Sequence, residues 1–294
     1  MGGRRAALRR RGRDARLGPR ARARRDRAEV QGPAHGAHVM QAVINGARLH
    51  YERAGAGMPV VFLHAGVADH RMWEPQFEVI APDTRGFGRS ELPPGGWSPV
   101  ADLLGLIDSL HLKPIHLVGC SIGGGVAIDF ALEHGERISK LVLVGPGVGG
   151  VQFGAKYKEL FAEAEAAEKA GDRRAMVEAD ARLWLDGPRR PAGYVKDPIR
   201  QLFFAMDSNF DSDFEAAPIE RLDPPAAERL HEITAPTLLV VGDEDAPPIF
   251  DAVDMLMEKV PHARKVVIHD AAHLPNLEHP DEFNRIVLEF LLEP

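Results

Sequence analysis

Ser121 is the side chain whose neighbours best suit a nucleophile. It lies in the stretch Gly119-Cys120-Ser121-Ile122-Gly123, which follows a β-branched apolar run and precedes residues with helical spacing. A serine at a tight turn from strand to helix adopts a strained backbone conformation that exposes its Oγ. The flanking glycines let the strand and the helix approach each other, because a side chain at either position would collide.

This stretch has two other interpretations. A glycine-rich turn before a helix can bind an anion, although the stretch lacks the G-x-x-x-x-G-K-S/T and G-x-G-x-x-G patterns of nucleotide sites. Cys120 is the single cysteine of the chain and could itself be a nucleophile. Its position before the turn residue should point it into the sheet, which favours a small buried side chain instead.

A serine nucleophile needs a general base to take its proton and an acidic group to hold that base. Both kinds of side chain follow later apolar runs, the acids after 236–241 and the histidines after 265–268. The candidates are Asp243, Glu244 and Asp245 for the acid, and His269 and His273 for the base. His269 ends its run, whereas His273 lies in the following loop, from which reach is easier.

Alternating strands and helices must position these groups. Apolar, β-branched runs predict strands at 41–44, 47–52, 59–63, 79–82, 115–118, 138–144, 236–241 and 265–268. Asn45-Gly46, between the first two runs, predicts a type I′ hairpin. Helical spacing at 99–110, with Ser98 as N-cap, is typical of the connecting helices. The alternation predicts an α/β fold with a mostly parallel central sheet and helices on both faces.

The alternation stops between residues 146 and 233. Helical patterns occur there at 156–169, 173–185 and 199–206. The oppositely charged pair Glu165 and Lys169, four residues apart, supports the first of these helices. We therefore expect a helical insertion at 146–233 within a core formed by residues 40–145 and 234–294.

One connection in the core is unusually short. The strands predicted at 59–63 and 79–82 are joined by 15 residues, 64–78, which is near the minimum for a parallel crossover. This length predicts a first helix of about two turns and a loosely anchored loop at Gly66.

Residues 1–39 differ in composition from the rest of the chain. They contain 12 of the 36 Lys and Arg residues and 3 of the 43 Asp and Glu residues, a net charge of +9. With few large apolar side chains they cannot bury enough surface to offset ordering, so we expect a disordered Arg-rich extension. The alternatives are a basic tail that binds nucleic acid or an acidic surface, and a targeting segment.

Composition also limits the partners. Residues 40–294 hold 24 basic and 40 acidic side chains, a net charge of −16, which argues against nucleic acid. No apolar run approaches the ~18 residues of a membrane span. The 13 histidines are scattered along the chain and show no clustered ligand spacing, so no metal site is expected. A single cysteine excludes an internal disulfide and suits a reducing compartment, which predicts a cytoplasmic protein.

From Met40 to its end the chain resembles the α/β-hydrolase superfamily, particularly the small cofactor-free esterases, lactonases and haloperoxidase-like members. The similarity lies in five motifs: Leu63-His64-Ala65-Gly66, Asp83-Thr84-Arg85-Gly86-Phe87-Gly88-Arg89-Ser90, Gly119 to Gly123, Gly242-Asp243-Glu244-Asp245 and Ala272-His273-Leu274-Pro275. The order serine, acid, histidine is also that of the superfamily. Together these motifs are specific, although none alone would be.

The resemblance implies an α/β-hydrolase fold in which residues 146–233 form a helical cap, and no cofactor. It implies Ser121 as nucleophile, His273 as general base and Asp245 as orienting acid, since the superfamily's G-x-x-D spacing selects Asp245. It also implies an oxyanion hole from the backbone N–H groups of Gly66 and Ile122. The motif residues expected to be structural are His64, Asp83 and Arg85.

The cap is expected to determine the substrate. Its apolar residues predict a mainly apolar pocket, which we expect Trp184 and Phe203 to line. Such a pocket suits a small uncharged carboxylic ester or lactone, hydrolysed through an acyl-enzyme at Ser121. The alternatives are carbon–carbon bond hydrolysis of a diketone or perhydrolysis on the same triad, and a non-catalytic binding protein with this fold.

Overall fold

The computed structural model describes residues 38–74, 80–151, 157–210, 214 and 218–294. Within these residues eight strands form one sheet. They are β1 His38–Ile44, β2 Ala47–Arg53, β3 Val60–Leu63, β4 Ile80–Pro82, β5 Ile115–Cys120, β6 Ile138–Val144, β7 Thr237–Gly242 and β8 Arg264–Ile268. The first strand begins two residues before the boundary expected after residue 39, and residues 1–37 of the predicted extension lie outside the described residues.

The strands are ordered β1-β2-β4-β3-β5-β6-β7-β8 across the sheet. β2 pairs antiparallel with β1 and with β4, whereas the pairs from β4 to β8 are all parallel. β5 is buried along its whole length, as expected for a central strand covered on both faces. The predicted mostly parallel sheet is confirmed.

Local sequence signals account for several boundaries. Asn45 and Gly46 have φ angles of 47° and 82°, the positive values that a type I′ turn needs at both central positions. The Ser98 side chain caps the first helix by accepting a hydrogen bond from the N–H of Ala101 at 3.2 Å. The α-helices of the described residues are α1 Pro99–Ser109, α2 Ile122–Glu133, α3 Lys158–Lys169, α4 Arg173–Asp180, α5 Ile199–Asp207, α6 Ala226–Arg229, α7 Pro247–Lys259, α8 Pro275–Glu278 and α9 Pro280–Leu292. Across the described segments, none of the helices has the length and apolar character to cross a membrane.

Buried apolar side chains form a core on each face of the sheet. Successive residues of β5 enter different cores, Leu117 one and Val118 the other, because neighbouring side chains on a strand point to opposite faces. Helices α1, α2 and α7 contribute to the first core, and α5 and α9 to the second. Helices on both faces of the sheet were predicted and are confirmed.

Helices α3 to α6 occupy the described chain between β6 and β7. Helix α4 continues into one π-helical turn, Ala181–Leu185, in which the N–H of Asp186 donates to the carbonyl of Ala181 at 2.8 Å. Isolated bridges join this part of the chain to the segment after β4, pairing Phe87 with Phe210 and Trp97 with Ile219. Residues 152–156 lie outside the described residues, and they include the first residue of the helix predicted at 156–169.

The connection from β3 to β4 contains a 3₁₀ turn, His70–Trp73. Residues 75–79, which include the rest of the predicted two-turn helix, lie outside the described residues. The carbonyl of Met72 accepts a hydrogen bond from Asn276 at 2.7 Å, and the N–H of Ala65 contacts the Met72 sulfur at 3.3 Å. The prediction of a loosely anchored loop at Gly66 is therefore wrong, since buried contacts on both sides of Gly66 hold this loop.

Candidate active site

Ser121 occupies the turn between β5 and α2. Its backbone has a φ of 54° and a ψ of −115°, a region that costs a non-glycine residue on the order of 1–3 kcal/mol. A Cβ added at Gly119 would lie 2.4 Å from the carbonyl oxygen of Gly123, and one added at Gly123 would lie 2.5 Å from that of Leu63. The close approach predicted for the two glycines is confirmed, and it holds Ser121 in the strained turn.

His273 and Asp245 form a buried pair beyond the ends of β8 and β7. The Nδ1 of His273 lies 3.0 Å from both carboxylate oxygens of Asp245, and both side chains are 1% exposed. A Cβ added at Gly145 would lie 3.0 Å from Asp245 Oδ2 and 3.0 Å from His273 Nδ1. The pair therefore packs against bare backbone at Gly145, which fixes the orientation of the imidazole ring.

The other candidates for acid and base are engaged elsewhere. His269 Nδ1 lies 2.8 Å from Asp243 Oδ2, and the His269 side chain is 85% exposed. Glu244 pairs with Arg189 at 3.1 Å. His273 lines the cavity that contains Ser121, whereas His269 does not. Because Asp245 pairs with His273 and Asp243 pairs with His269, the geometry favours Asp245 and His273 over these alternatives.

Ser121 and His273 line one cavity of about 1210 Å³ between the sheet and the inserted helices. The Nε2 of His273 is buried, and within the described part of the chain it has no hydrogen-bond partner. With Nδ1 held by Asp245, Nε2 is the ring nitrogen able to accept a proton. The general base candidate His273 and the nucleophile candidate Ser121 therefore lie in the lining of the same cavity.

Gly66 and Ile122 also line this cavity. A Cβ added at Gly66 would lie 2.5 Å from Cδ1 of Ile122, so the two residues are in direct contact. Ile122 is the first residue of α2, and the N–H groups of a first helical turn have no acceptor within their own helix. The N–H of Ile122, next to Ser121 in the chain and in a residue that contacts Gly66, is a donor that suits a developing oxyanion.

The two aromatic residues expected in the pocket have different environments. Trp184, in the π-helical turn, lines the cavity; its ring centroid lies 4.5 Å from that of His273. Phe203 does not line the cavity and is fully buried in the second core. The expectation for Phe203 was wrong because α5 turns this side chain toward the sheet rather than toward Ser121.

Cys120 and His64, two other candidate reactive groups, have structural environments. Burial raises the pKa of the Cys120 thiol well above its ordinary value, so a Cys120 thiolate nucleophile is disfavoured. His64 Nδ1 lies 2.8 Å from the carbonyl of Ala65, and Nε2 accepts a hydrogen bond from the N–H of Thr84 at 2.9 Å. Both ring nitrogens of His64 are therefore used in holding the loops after β3 and β4.

Among the charged side chains of the inserted segment that line the cavity are Arg173, Asp180 and Asp207. Asp207 is 2% exposed, and its Oδ2 has no hydrogen-bond partner among the described residues. Arg173 donates to the backbone carbonyl of Asp207 at 2.8 Å and lies 3.4 Å from the ring centroid of Phe210. Sequence reasoning missed this group, because its one signal, the seven-residue spacing of Arg173 and Asp180 on one helix face, is common on solvated helices.

Burial dominates the electrostatics of these acids. It raises the pKa of Asp207 to about 8; the nearby Asp180 adds to this shift and Arg173 opposes it. Burial also raises the pKa of Asp180 to about 6, against Arg173 and a hydrogen bond from the Trp184 side chain. At neutral pH Asp207 is therefore largely protonated and can donate a hydrogen bond into the cavity.

Comparison with known proteins identifies the family to which the chain belongs. Residues 60–286 match the model of the alpha/beta hydrolase family. The chain is 30% identical over 269 residues to 2-hydroxy-6-oxo-6-phenylhexa-2,4-dienoate hydrolase from Burkholderia cepacia, covering 83% of this chain and 91% of the relative.

Solved structures show the same similarity in three dimensions. The enol-lactonase from Burkholderia xenovorans LB400 superposes with a TM-score of 0.71 and 25% identity, covering 86% of this chain and 100% of the lactonase. A bromoperoxidase from Bacillus anthracis superposes with a TM-score of 0.74 and 26% identity, covering 87% of this chain and 100% of the other.

Proposed function

The chain is an enzyme of the alpha/beta hydrolase family and has the fold of that family, and on this premise we propose that it is a serine hydrolase acting on a carboxylic ester or lactone. Ser121 is the nucleophile, His273 the general base and acid, and Asp245 the group that orients His273. The resemblance stated from the motifs is confirmed at the level of the family; the roles of the individual residues are our proposal.

Acylation begins when Ser121 Oγ attacks the carbonyl carbon of the substrate. His273 Nε2 takes the serine proton, and Asp245 stabilises the imidazolium that forms. The N–H groups of Gly66 and Ile122 donate to the oxyanion of the tetrahedral intermediate. His273 then gives the proton to the leaving oxygen, and the carbon–oxygen bond of the ester breaks.

Deacylation repeats these steps with water as the nucleophile. His273 Nε2 removes a proton from the water, whose oxygen attacks the acyl carbon of the Ser121 ester. Collapse of the second intermediate returns the proton to Ser121 Oγ and releases the carboxylic acid. For a lactone, the alcohol formed in the first half remains part of the released hydroxy acid.

The observation that carries this proposal is the environment of His273. Its Nδ1 is 3.0 Å from Asp245, while its buried Nε2 has no partner among the described residues and faces the cavity that Ser121 lines. A buried ring nitrogen without a hydrogen bond costs stability. Such a cost is typical of a site whose missing partner is a substrate or a reacting group.

We infer that residues 146–233 act as the cap and that Trp184 contacts the substrate. The cavity exceeds the ~300–1,000 Å³ of common ligand pockets, and Arg173 and Asp207 make it less apolar than the sequence suggested. The substrate class is therefore extended to esters or lactones that carry a polar substituent. We also infer a cytoplasmic location, since a single buried cysteine suits a reducing compartment.

Carbon–carbon bond hydrolysis is the second candidate. It is favoured by the 30% identity to a hydrolase whose name specifies a dienoate. It is also favoured by Arg173, which could pair with the carboxylate of such a substrate. The same Ser121 and His273 would serve both reactions, so substrate trials must separate the two candidates.

A substrate panel on the purified protein tests the proposal. It comprises p-nitrophenyl esters of increasing acyl length, lactones of increasing ring size and a 2-hydroxy-6-oxodienoate. We expect turnover of esters or lactones that Ser121→Ala abolishes, with covalent labelling of Ser121 by an organophosphonate probe. Turnover of the dienoate alone would select the second candidate, and labelling that persists in Ser121→Ala would refute the assigned nucleophile.

A further inference from the structure

A second group of titratable side chains lies away from the active-site cavity. His50 and Glu52 project from β2, His70 belongs to the 3₁₀ turn, and Asp83 follows β4. His50 is 0% exposed and His70 is 4% exposed, whereas the Glu52 side chain is 23% exposed. None of the four lines the cavity that contains Ser121, so this group has no part in the proposed hydrolysis.

One carboxylate orients both imidazole rings. Asp83 Oδ2 lies 2.9 Å from His50 Nδ1, and Asp83 Oδ1 lies 2.7 Å from His70 Nδ1. Asp83 is itself fixed, because the backbone N–H groups of His70 and Arg89 donate to it at 2.8 and 3.0 Å. Hydrogen bonds at Nδ1 assign the lone pairs of the two neutral rings to Nε2.

The two Nε2 atoms have different surroundings. His70 Nε2 lies 3.4 Å from Glu52 Oε1, whereas His50 Nε2 is buried and has no hydrogen-bond partner within the described chain. If His70 were protonated, both of its ring N–H groups would have carboxylate partners, Asp83 at Nδ1 and Glu52 at Nε2. Protonation of His70 would still leave the nitrogen of His50 unsatisfied, at a cost of about 1–3 kcal/mol.

The spacing of these atoms suits a small cation. One ring nitrogen of each histidine and one carboxylate oxygen of Glu52 lie within 4.8 Å of one another. Ligands about 2.1 Å from a tetrahedral ion are ~3.4 Å apart, the distance found between His70 and Glu52. The partly exposed Glu52 can move its carboxylate toward the two rings by a change of rotamer, and it gives the ion a path from solvent.

Charge in the surroundings favours a cation as well. Glu52, Asp69 and Asp83 place three carboxylates around the two rings, and Asp69 is 4.0 Å from His70 Nδ1. Arg71 pairs with Asp69 at 2.6 Å, so one of the three negative charges is compensated. A carboxylate behind a histidine is the usual outer partner of a metal ligand, because it fixes the tautomer and raises the basicity of the ring.

We propose that His50, Glu52 and His70 bind a divalent transition-metal ion, for which Zn²⁺ is the best match, and that Asp83 positions the two histidines. Two imidazoles, one carboxylate and a water form a four-coordinate zinc set. The ion ties strand β2 to the β3–β4 connection through His70, so it stabilises the fold without entering the reaction. No metal site was expected from the sequence, because these ligands come from separate segments of the chain.

Titration of the chelator-treated, tag-free protein with Zn²⁺ tests the site. We expect one ion per chain by calorimetry and elemental analysis, with a melting temperature that rises with the Zn²⁺ concentration. Co²⁺ should give the visible absorption of a tetrahedral complex. Failure to bind one ion per chain would overturn the proposal and leave a protonated His70 as the account of this cluster.

Matched substitutions locate the ion. His50→Gln and Glu52→Gln should each weaken Zn²⁺ binding by about 10-fold or more. His269→Gln changes an exposed histidine paired with Asp243 and should bind Zn²⁺ like the unchanged protein. The Glu52 side chain is partly exposed to solvent, so Glu52→Gln should fold. It therefore remains informative if His50→Gln fails to fold. Equal affinity in Glu52→Gln and the unchanged protein would contradict the assignment.

Discussion

The indole of Trp184 packs against the imidazole of His273. Their ring centroids are 4.5 Å apart with an angle of 42° between the planes, and the backbone N–H of His273 donates to the carbonyl of Trp184 at 3.1 Å. A residue of the inserted helices thus holds the proposed base by both its ring and its backbone. The hydrogen bond persists in any Trp184 variant, so substitution isolates the contribution of the ring.

Trp184→Ala should lower kcat/KM by about 10-fold to 100-fold, because the imidazole loses the surface that fixes its position. Trp184→Phe keeps an aromatic ring and should lose less. Trp97→Phe alters a buried tryptophan that does not line the cavity, and should leave kcat/KM unchanged. Steady-state kinetics on the best ester compare the three, and equal losses in Trp184→Ala and Trp97→Phe would show a general packing effect.

The two acid–histidine pairs predict opposite outcomes. Asp245→Asn should lower kcat by about 10⁴ through a wrong histidine tautomer, and Ser121→Ala or His273→Ala by up to roughly 10⁶. Asp243→Asn breaks the exposed pair with His269 and should keep nearly full activity. A crippled Asp243→Asn enzyme beside a mild Asp245→Asn enzyme would reverse the assignment of the acid.

Gly145→Ala should disturb the buried pair directly. The new Cβ would lie 3.0 Å from Asp245 and from His273, at a φ of 46°, so kcat/KM should fall by about 10-fold to 100-fold with a loss of stability of ~1–2 kcal/mol. Gly193→Ala is the control, since Gly193 has a φ of 74° but no atom within 4 Å of the added Cβ. The control should lose stability alone, as measured by denaturant unfolding and kinetics.

Asp207 should make the stability of the protein fall with rising pH. Its pKa of about 8 in the folded protein exceeds the ~3.9 of an unfolded chain. The folded state therefore holds an extra proton between these values, and this group lowers the free energy of unfolding by up to about 1.4 kcal/mol per pH unit across that window.

Asp207→Asn keeps the shape of the protonated acid and removes its titration. The difference in unfolding free energy between Asp207→Asn and the unchanged protein should grow in favour of the variant from pH 4 to pH 8, by a few kcal/mol. Urea unfolding at several pH values measures it. A difference that does not vary with pH would show that the pKa of Asp207 is the same in the folded and the unfolded protein.

Local chemistry made much of this molecule predictable. The turn at Ser121, the Asn45-Gly46 hairpin and the Ser98 cap depend on a few neighbouring residues, and each lies where its pattern indicated. The alternation of strands and helices likewise predicted the sheet, because parallel strands need covered faces.

The remainder depends on contacts between distant segments. Phe203 and Asp207 lie on one helix, yet Phe203 enters the core and Asp207 lines the cavity, a difference set by how α5 packs. His50 and His70 converge because Asp83 comes between them in space. Neither arrangement leaves a periodic signal in the sequence.

The π-helical turn at Ala181–Leu185 makes the pocket sensitive to insertions and deletions as well as to substitutions. Its hydrogen bond spans five residues, from Asp186 to Ala181, so the turn holds one residue more than an α-helix would. Deleting one residue there would restore α-helical spacing and shift the side chains of the turn itself, Trp184 among them, around the helix axis. The indole of Trp184 would then lose its contact with His273 while the central sheet stayed intact. Deletion of a single codon could therefore change the shape of the site.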